Sequence, residues 1–284
     1  MVRSNRPYSR FARSLVAGLA AASMLATAPL SAQGDLLIAP TRVVMDGRGS
    51  TQVILSNIGD EEATYRISAE LRRMTETGEL ELVESEAASE MERNALEMIR
   101  FAPRRVVLPP GQPQSVRLSA RPGADLSDGE YRIHLSFNGI PDVTPVSAEA
   151  DGAAQAGGLS IALIPIYAIT IPIIVRQGQV EASAAISNPR IEPRENGGAF
   201  LKLDMARSGN GSVFGEIRVY RPGEADPLFL ARGIAIYPEV NGRELMLPVP
   251  PELAAALRGN LRFEYRELPE QGGALLASVE GNIG

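Results

Sequence analysis

The stretch Leu159-Ser-Ile-Ala-Leu-Ile-Pro-Ile-Tyr-Ala-Ile-Thr-Ile-Pro-Ile-Ile-Val175 is the most informative apolar run of the chain. One parity set holds Leu159, Ile161, Leu163, Tyr167, Ile169 and Ile171. The other holds Ser160, Ala162, Ile164, Ile166, Ala168 and Thr170. Both are apolar in the middle, as in a strand covered on its two faces. Pro165 and Pro172 have no N–H to give a ladder, which places part of the strand at a sheet edge. A long apolar edge is an invitation to another chain unless something covers it. Two readings follow. The strand is buried within its own fold, or a partner completes it, with main-chain hydrogen bonds giving affinity and alternate side chains giving specificity. Two prolines interrupt the run below membrane-spanning length.

Outward from that run, glycine and proline punctuate short β-rich segments about every ten residues, the pattern of a sandwich or barrel. Towards the amino terminus the candidates are 36–45, 52–57, 63–71, 104–108, Gln114–Ala120 and 130–137. Beyond the run they are 180–187, 199–206, 215–220, 228–236, 244–249, 260–266 and 274–279. Pro109-Pro110-Gly111, the cluster from Arg207 to Ser212, and Glu270-Gln-Gly-Gly273 read as turns. Residues 141–158, rich in Pro, Ala and Gly, read as a loop. Residues 85–99 and 250–257 are compatible with helix. The expectation is an all-β chain of two β-sandwich domains with a boundary near Gln177-Gly178.

Composition narrows the chemistry. The chain has 284 residues, 44% hydrophobic and 22% charged, which excludes wholesale disorder. It has no cysteine, so neither disulfides nor thiolate sites are available. His134 is the single histidine and Lys202 the single lysine. Arg3, Arg6, Arg10 and Arg13 precede an apolar stretch at 15–28 and small residues up to Ala32. This is the layout of a secretory signal peptide over 1–32, cut after Ala32, with an uncleaved anchor as the alternative. Removing four arginines and no acid takes the formal charge from −6 to −10. Export is expected, with no membrane insertion after cleavage. No nucleic-acid partner is expected, because that partner asks for a basic face.

Enzyme motifs are missing: no G-x-S-x-G, P-loop, G-x-G-x-x-G after a strand, or H-E-x-x-H occurs. The acidic stretch 76–97 lacks calcium-loop spacing and reads as a solvated loop. His134 falls on the parity of Arg132 and Ser136, away from Tyr131, Ile133 and Leu135. It reads as structural or solvated rather than catalytic. No catalytic residue, cofactor or metal is expected.

Six segments in order carry a family resemblance. They are Pro40-Thr-Arg-Val-Val-Met-Asp-Gly47, Gln52-Val-Ile-Leu-Ser-Asn57 and Phe101-Ala-Pro-Arg-Arg-Val-Val-Leu-Pro-Pro-Gly-Gln112. Then come Gln114-Ser-Val-Arg-Leu118, Glu130-Tyr-Arg-Ile-His-Leu-Ser-Phe137 with Ile140-Pro141, and the apolar run. Together they resemble the periplasmic pilus and fimbrial chaperones of the chaperone–usher pathway, the PapD-like family, as a divergent member.

The resemblance implies two immunoglobulin-like β-sandwich domains in an L-shaped arrangement, an N-terminal domain over 33–176 and a C-terminal domain over 177–284. It implies a non-enzymatic chaperone that captures a pilin-like subunit lacking its last strand and delivers it to an outer-membrane usher. A self-capping dimer is a further implied partner. The donated strand would present Leu159, Ile161, Leu163, Tyr167, Ile169 and Ile171. Arg42 would anchor the subunit's terminal carboxylate in the cleft between domains. The family places a lysine near the end of the donated strand, where this chain has Pro172, leaving Arg42 with Thr41 and Thr170 as donors. Glu130 and Arg176 match an interdomain ion pair. The alternative is a self-assembling structural or adhesin-like β-sandwich protein of the cell envelope. A secreted hydrolase ranks third, for want of a nucleophile motif.

Overall fold

In the computed structural model the described residues are 36–141, 167–195 and 197–284. Eighteen strands, two short α-helices and two single-turn 3-10 helices are seen among them. The expected strand at 36–45 is two strands, β1 (Leu36–Ala39) and β2 (Val43–Asp46), separated at Pro40, Thr41 and Arg42. Pro40 has no N–H to extend a ladder. The chain uses that gap to pass from one sheet to the other.

The first sandwich packs two sheets. One has the order β1-β3-β9-β7, where β3 is Gly49–Asn57, β9 is Gln114–Ala120 and β7 is Ile99–Ala102. The other has the order β2-β11-β10-β4-β8, where β11 is Ala168–Gln177, β10 is Gly129–Ile140, β4 is Ala63–Glu70 and β8 is Arg105–Leu108. Period-two alternation sends Val53, Leu55, Val116 and Leu118 inward from one sheet, and Tyr131, Ile133, Leu135 and Phe137 from the other. All eight are buried, each contributing on the order of 1.5–3 kcal/mol.

Two additions extend the first sandwich, and only the second had a sequence signal. A hairpin joins β5 (Arg72–Met74) to β6 (Leu80–Leu82). Helix α1 (Glu90–Met98) follows, shorter than the expected 85–99, and opens with a reciprocal capping box. The Glu92 amide donates to Ser89 Oγ at 3.3 Å, and the Ser89 amide donates to Glu92 Oε2 at 2.7 Å. The acidic stretch expected to be a solvated loop is therefore partly helical, and Glu92 is also tied to Arg73.

After β11 the chain turns at Gly178, whose φ of 66° lies in the left-handed region that glycine tolerates. The second sandwich packs the sheet β12-β13-β16 (Ala182–Pro193, Ala199–Gly209, Gly242–Val249) on the sheet β15-β14-β17-β18 (Phe229–Ile236, Val213–Tyr220, Gly259–Arg266, Leu275–Ile283). Leu201, Leu203, Ile217, Val219, Phe263 and Tyr265 fill its core. The second helix, α2, is a single turn at Pro251–Ala254. No described helix is long and apolar enough to cross a membrane.

The sandwiches share a third, smaller core. Met74 from β5 and Ile174 from β11 pack with Ala235 and Tyr237 of the second sandwich. The β5–β6 hairpin reaches across as well. The Met74 amide donates to Glu239 Oε1, and the carbonyl of Glu76 accepts from the Glu244 amide at 3.2 Å.

Candidate functional site: the cleft between the sandwiches

β2 and β11 run parallel, with Val44 opposite Ile174 and Asp46 opposite Arg176. Val44 of β2 and Ile174 and Arg176 of β11 turn away from the first core and towards the second sandwich. Arg42, Val44 and Arg176 accordingly line one cleft of about 370 Å³ with Ser212, Phe214 and Glu267, among others.

Arg42 is held from three sides. Its Nη2 donates to Ser212 Oγ at 2.9 Å and its Nη1 to Tyr237 Oη at 3.2 Å. Its guanidinium also lies 4.5 Å from the centroid of the Phe214 ring and 5.6 Å from that of Tyr237. A guanidinium has five donors, and two are used here, so the fork retains donors for an anion.

Ser212 links this arginine to a buried acid. Its backbone N–H and its hydroxyl donate to Glu130 Oε2 at 3.0 and 2.7 Å. The Glu130 side chain is wholly buried, and Arg176 Nε stands 3.7 Å from the same oxygen. Glu130 and Arg176 are direct cross-strand neighbours on β10 and β11. A four-residue relay therefore runs Arg42–Ser212–Glu130–Arg176 across the junction of the two sandwiches.

The loop that presents Ser212 is built by a second buried arginine. Arg207 donates to the carbonyls of Gly209, Gly211, Pro238 and Val240. Gly209 has a φ of 99°, and a side chain there would meet the Glu181 carbonyl at 2.1 Å. The turn cluster from Arg207 to Ser212 is thus a rigid platform rather than a slack connection.

On the other side of Tyr237, Arg132 stacks 3.6 Å from the ring centroid and pairs with Glu239. His134 lies in the same layer, its ring edge-on to Tyr237 at 6.4 Å. Its parity matches the expectation, but it is buried rather than solvated. Neither ring nitrogen has a hydrogen-bond partner among the described residues. Burial pushes the imidazole down to about 3, and the nearby Arg132, Arg72 and Arg42 charges add to the effect. A histidine held neutral in this way is part of the interface packing.

The strand residues divide. Leu159, Ile161 and Leu163 lie outside the described residues. Tyr167 and Ile169 are exposed at 62% and 36%, whereas Ile171 is 2% exposed and sits in the first core. Ile171 therefore cannot face a partner in this conformation, a correction to its place in the donated set. β10 pairs with β11 from Ala168 to Gln177, but β2 pairs with it only from Ile173 to Arg176. From Ala168 to Pro172 the other edge of β11 has no strand partner among the described residues. This is the partial edge character that Pro172 suggests.

Thr41 and Thr170 do not line the cleft. Thr41 is exposed beside Arg42, and Thr170 Oγ1 donates to Ser136 Oγ at 3.5 Å. Lys202 is far along the second sandwich, paired with Glu192 at 2.7 Å. Sequence reasoning missed Ser212, Phe214, Tyr237 and Arg207. Only the Gly-rich cluster around Ser212 hinted at a constrained loop. Among the described residues no cluster of His, Asp and Glu is arranged to hold a metal ion.

Two β-sandwiches joined by a third apolar core and a charged relay define the class by fold. No protein-family model and no curated protein matches the chain. Among solved structures it is similar to the class 5 fimbriae chaperone CfaA. The identity is 13%, covering 88% of this chain and 99% of that one, with a TM-score of 0.44. It is also similar to the E. coli chaperone DraB, at 13% identity, 88% and 97% coverage and a TM-score of 0.45. A third is the CsuC–CsuE chaperone–tip adhesion subunit pre-assembly complex from archaic chaperone-usher Csu pili of Acinetobacter baumannii. There the identity is 12%, the coverage 88% and 98%, and the TM-score 0.44.

Proposed function

We propose that this chain is a periplasmic, non-enzymatic chaperone for fimbrial subunits that lack their last strand, and that it passes them to an outer-membrane usher. The observation that carries the reading is the half-covered strand β11, which has a ladder partner on one side only from Ala168 to Pro172. Backbone groups on that free edge, with the exposed Tyr167 and Ile169, offer an incomplete sandwich the strand it lacks. Upstream, Leu159, Ile161 and Leu163 continue the same parity set. Arg42 in the cleft supplies the cation that a subunit's terminal carboxylate needs, and its guanidinium suits two-oxygen capture. Thr41 and Thr170 have no part in this anchor.

The test is co-expression with a strand-deficient fimbrial subunit. Arg42→Ala is expected to abolish stable co-purification while leaving the circular dichroism spectrum unchanged. Undiminished co-purification overturns the anchor. A chain that polymerises alone instead supports a self-assembling envelope component.

A further inference from the structure

We infer that the β5–β6 hairpin is a positioning element for the cleft: it holds Tyr237 in place, and Tyr237 holds Arg42. The inference rests on the function proposed above and adds residues that lie outside its binding site.

The hairpin follows β4 of the first sandwich and lies against the second. Met74 is buried in the small core with Ile174, Ala235 and Tyr237, and Leu80 from the returning strand packs against the same core. The Met74 amide donates to Glu239 Oε1 at 2.6 Å, so one hairpin residue engages both ends of the segment from Tyr237 to Glu239. The Glu76 carbonyl accepts from the Glu244 amide at 3.2 Å, which ties the hairpin to β16 as well. Gly78, with a φ of 86°, rests on Arg243, and a Cβ there would meet the guanidinium carbon at 2.0 Å.

Arg243 does not hold the hairpin down. Its Nη1 donates to the Ala235 carbonyl at 3.0 Å, but its Nε is buried with no hydrogen-bond partner among the described residues. Covering that unspent donor costs free energy. The hairpin stays in place through its contacts at Met74, Glu76 and Glu239.

Tyr237 carries the effect to the cleft. The Arg132 guanidinium, which pairs with Glu239, lies 3.6 Å from the centroid of its ring. Its hydroxyl accepts from Arg42 Nη1 at 3.2 Å. The other tie of Arg42 runs to Ser212, on the loop that Arg207 builds. With Tyr237 loose, Arg42 keeps the Ser212 tie alone, and a bound anion must then immobilise the guanidinium itself.

The experiment compares Met74→Ala and Glu239→Ala in the full mature chain, with Met74→Leu and Glu239→Gln as the conservative variants. It reads the Arg42 Nε–H signal by nitrogen-resolved NMR and the affinity for a strand-deficient fimbrial subunit. Both alanine variants are expected to move the Arg42 signal while that of the remote Arg266 stays. Both are expected to weaken capture about tenfold, near the upper cost of immobilising one long side chain. The conservative variants are expected to stay close to the parent. An Arg42 signal that moves in Glu239→Ala alone assigns the effect to Arg132 and overturns the hairpin's role. A signal unmoved in both overturns it too, and either result leaves the Arg42 anchor standing. Moved signals with undiminished capture overturn the anchor and keep the hairpin's hold on Arg42.

Discussion

The two halves of β11 have nearly the same composition and opposite fates. Ile171, Ile173 and Val175 point into the first core and are sealed there. Tyr167 and Ile169, on the same parity, are exposed. What differs is the core, which ends between Ile169 and Ile171. The open edge reaches slightly further, since β2 pairs with β11 only from Ile173 and before that only β10 is paired. Apolar periodicity therefore reports which residues share a face, but not whether the molecule itself covers that face. An edge left open in an otherwise regular sandwich is a place where a second chain can complete the fold.

That contrast can be broken from either side, and the largest effect belongs to the sealed half. Ile173→Ala removes a fully buried side chain and is expected to cost about 2–5 kcal/mol in urea denaturation. The opposite face of this half is sealed by the second sandwich, through Ile174 and the relay. Ser212→Ala strips Glu130 of its hydroxyl donor and is expected to cost about 1.5–3 kcal/mol by the same measurement. A loss below half a kcal/mol would show that the relay does not hold the junction.

His134, directly across from Pro172, tests the boundary between the halves. Its folded value of about 3 lies below the ordinary 6.5, so the unfolded chain takes up the proton first as pH falls. Stability that is full above pH 6.5 is lost progressively towards pH 3. Between pH 7 and pH 5 this one group accounts for about 2 kcal/mol. Parent and His134→Leu denaturation curves should diverge by that amount, and parallel pH profiles would contradict it. The smallest stability effect belongs to the open half. Ile169→Asn is expected to change stability by under about 0.5 kcal/mol. A large loss there would mean that the open half is packed after all.

Much of the first sandwich was readable from its residues. The Gln114–Ala120 strand matches its expected limits, and the alternation of β10 correctly separates the core side chains from Arg132, His134 and Ser136. Arg42 and the neighbours Glu130 and Arg176 could be named in advance. The exchange of sheets at Pro40 could not, because the switch depends on which strand each half finds, and the inward parity changes with it, from Ile38 in β1 to Val43 and Met45 in β2. Ser212, Phe214 and Tyr237 were equally hidden. They come from a sandwich whose segments match no pattern, and they meet Arg42 only through the packing of one sandwich on the other. Ile171 was misassigned because parity alone places it with Ile169, whereas the end of the core falls between them.

The most direct test is backbone hydrogen exchange at β11, with and without a bound strand-deficient subunit. The account predicts that amides on the free edge from Ala168 to Ile171 become strongly protected on capture. Those of Ile173, Ile174 and Val175, already laddered on both sides, should not change. Subunit binding with unaltered exchange from Ala168 to Ile171 would contradict the account, because the strand would then not be what the partner receives.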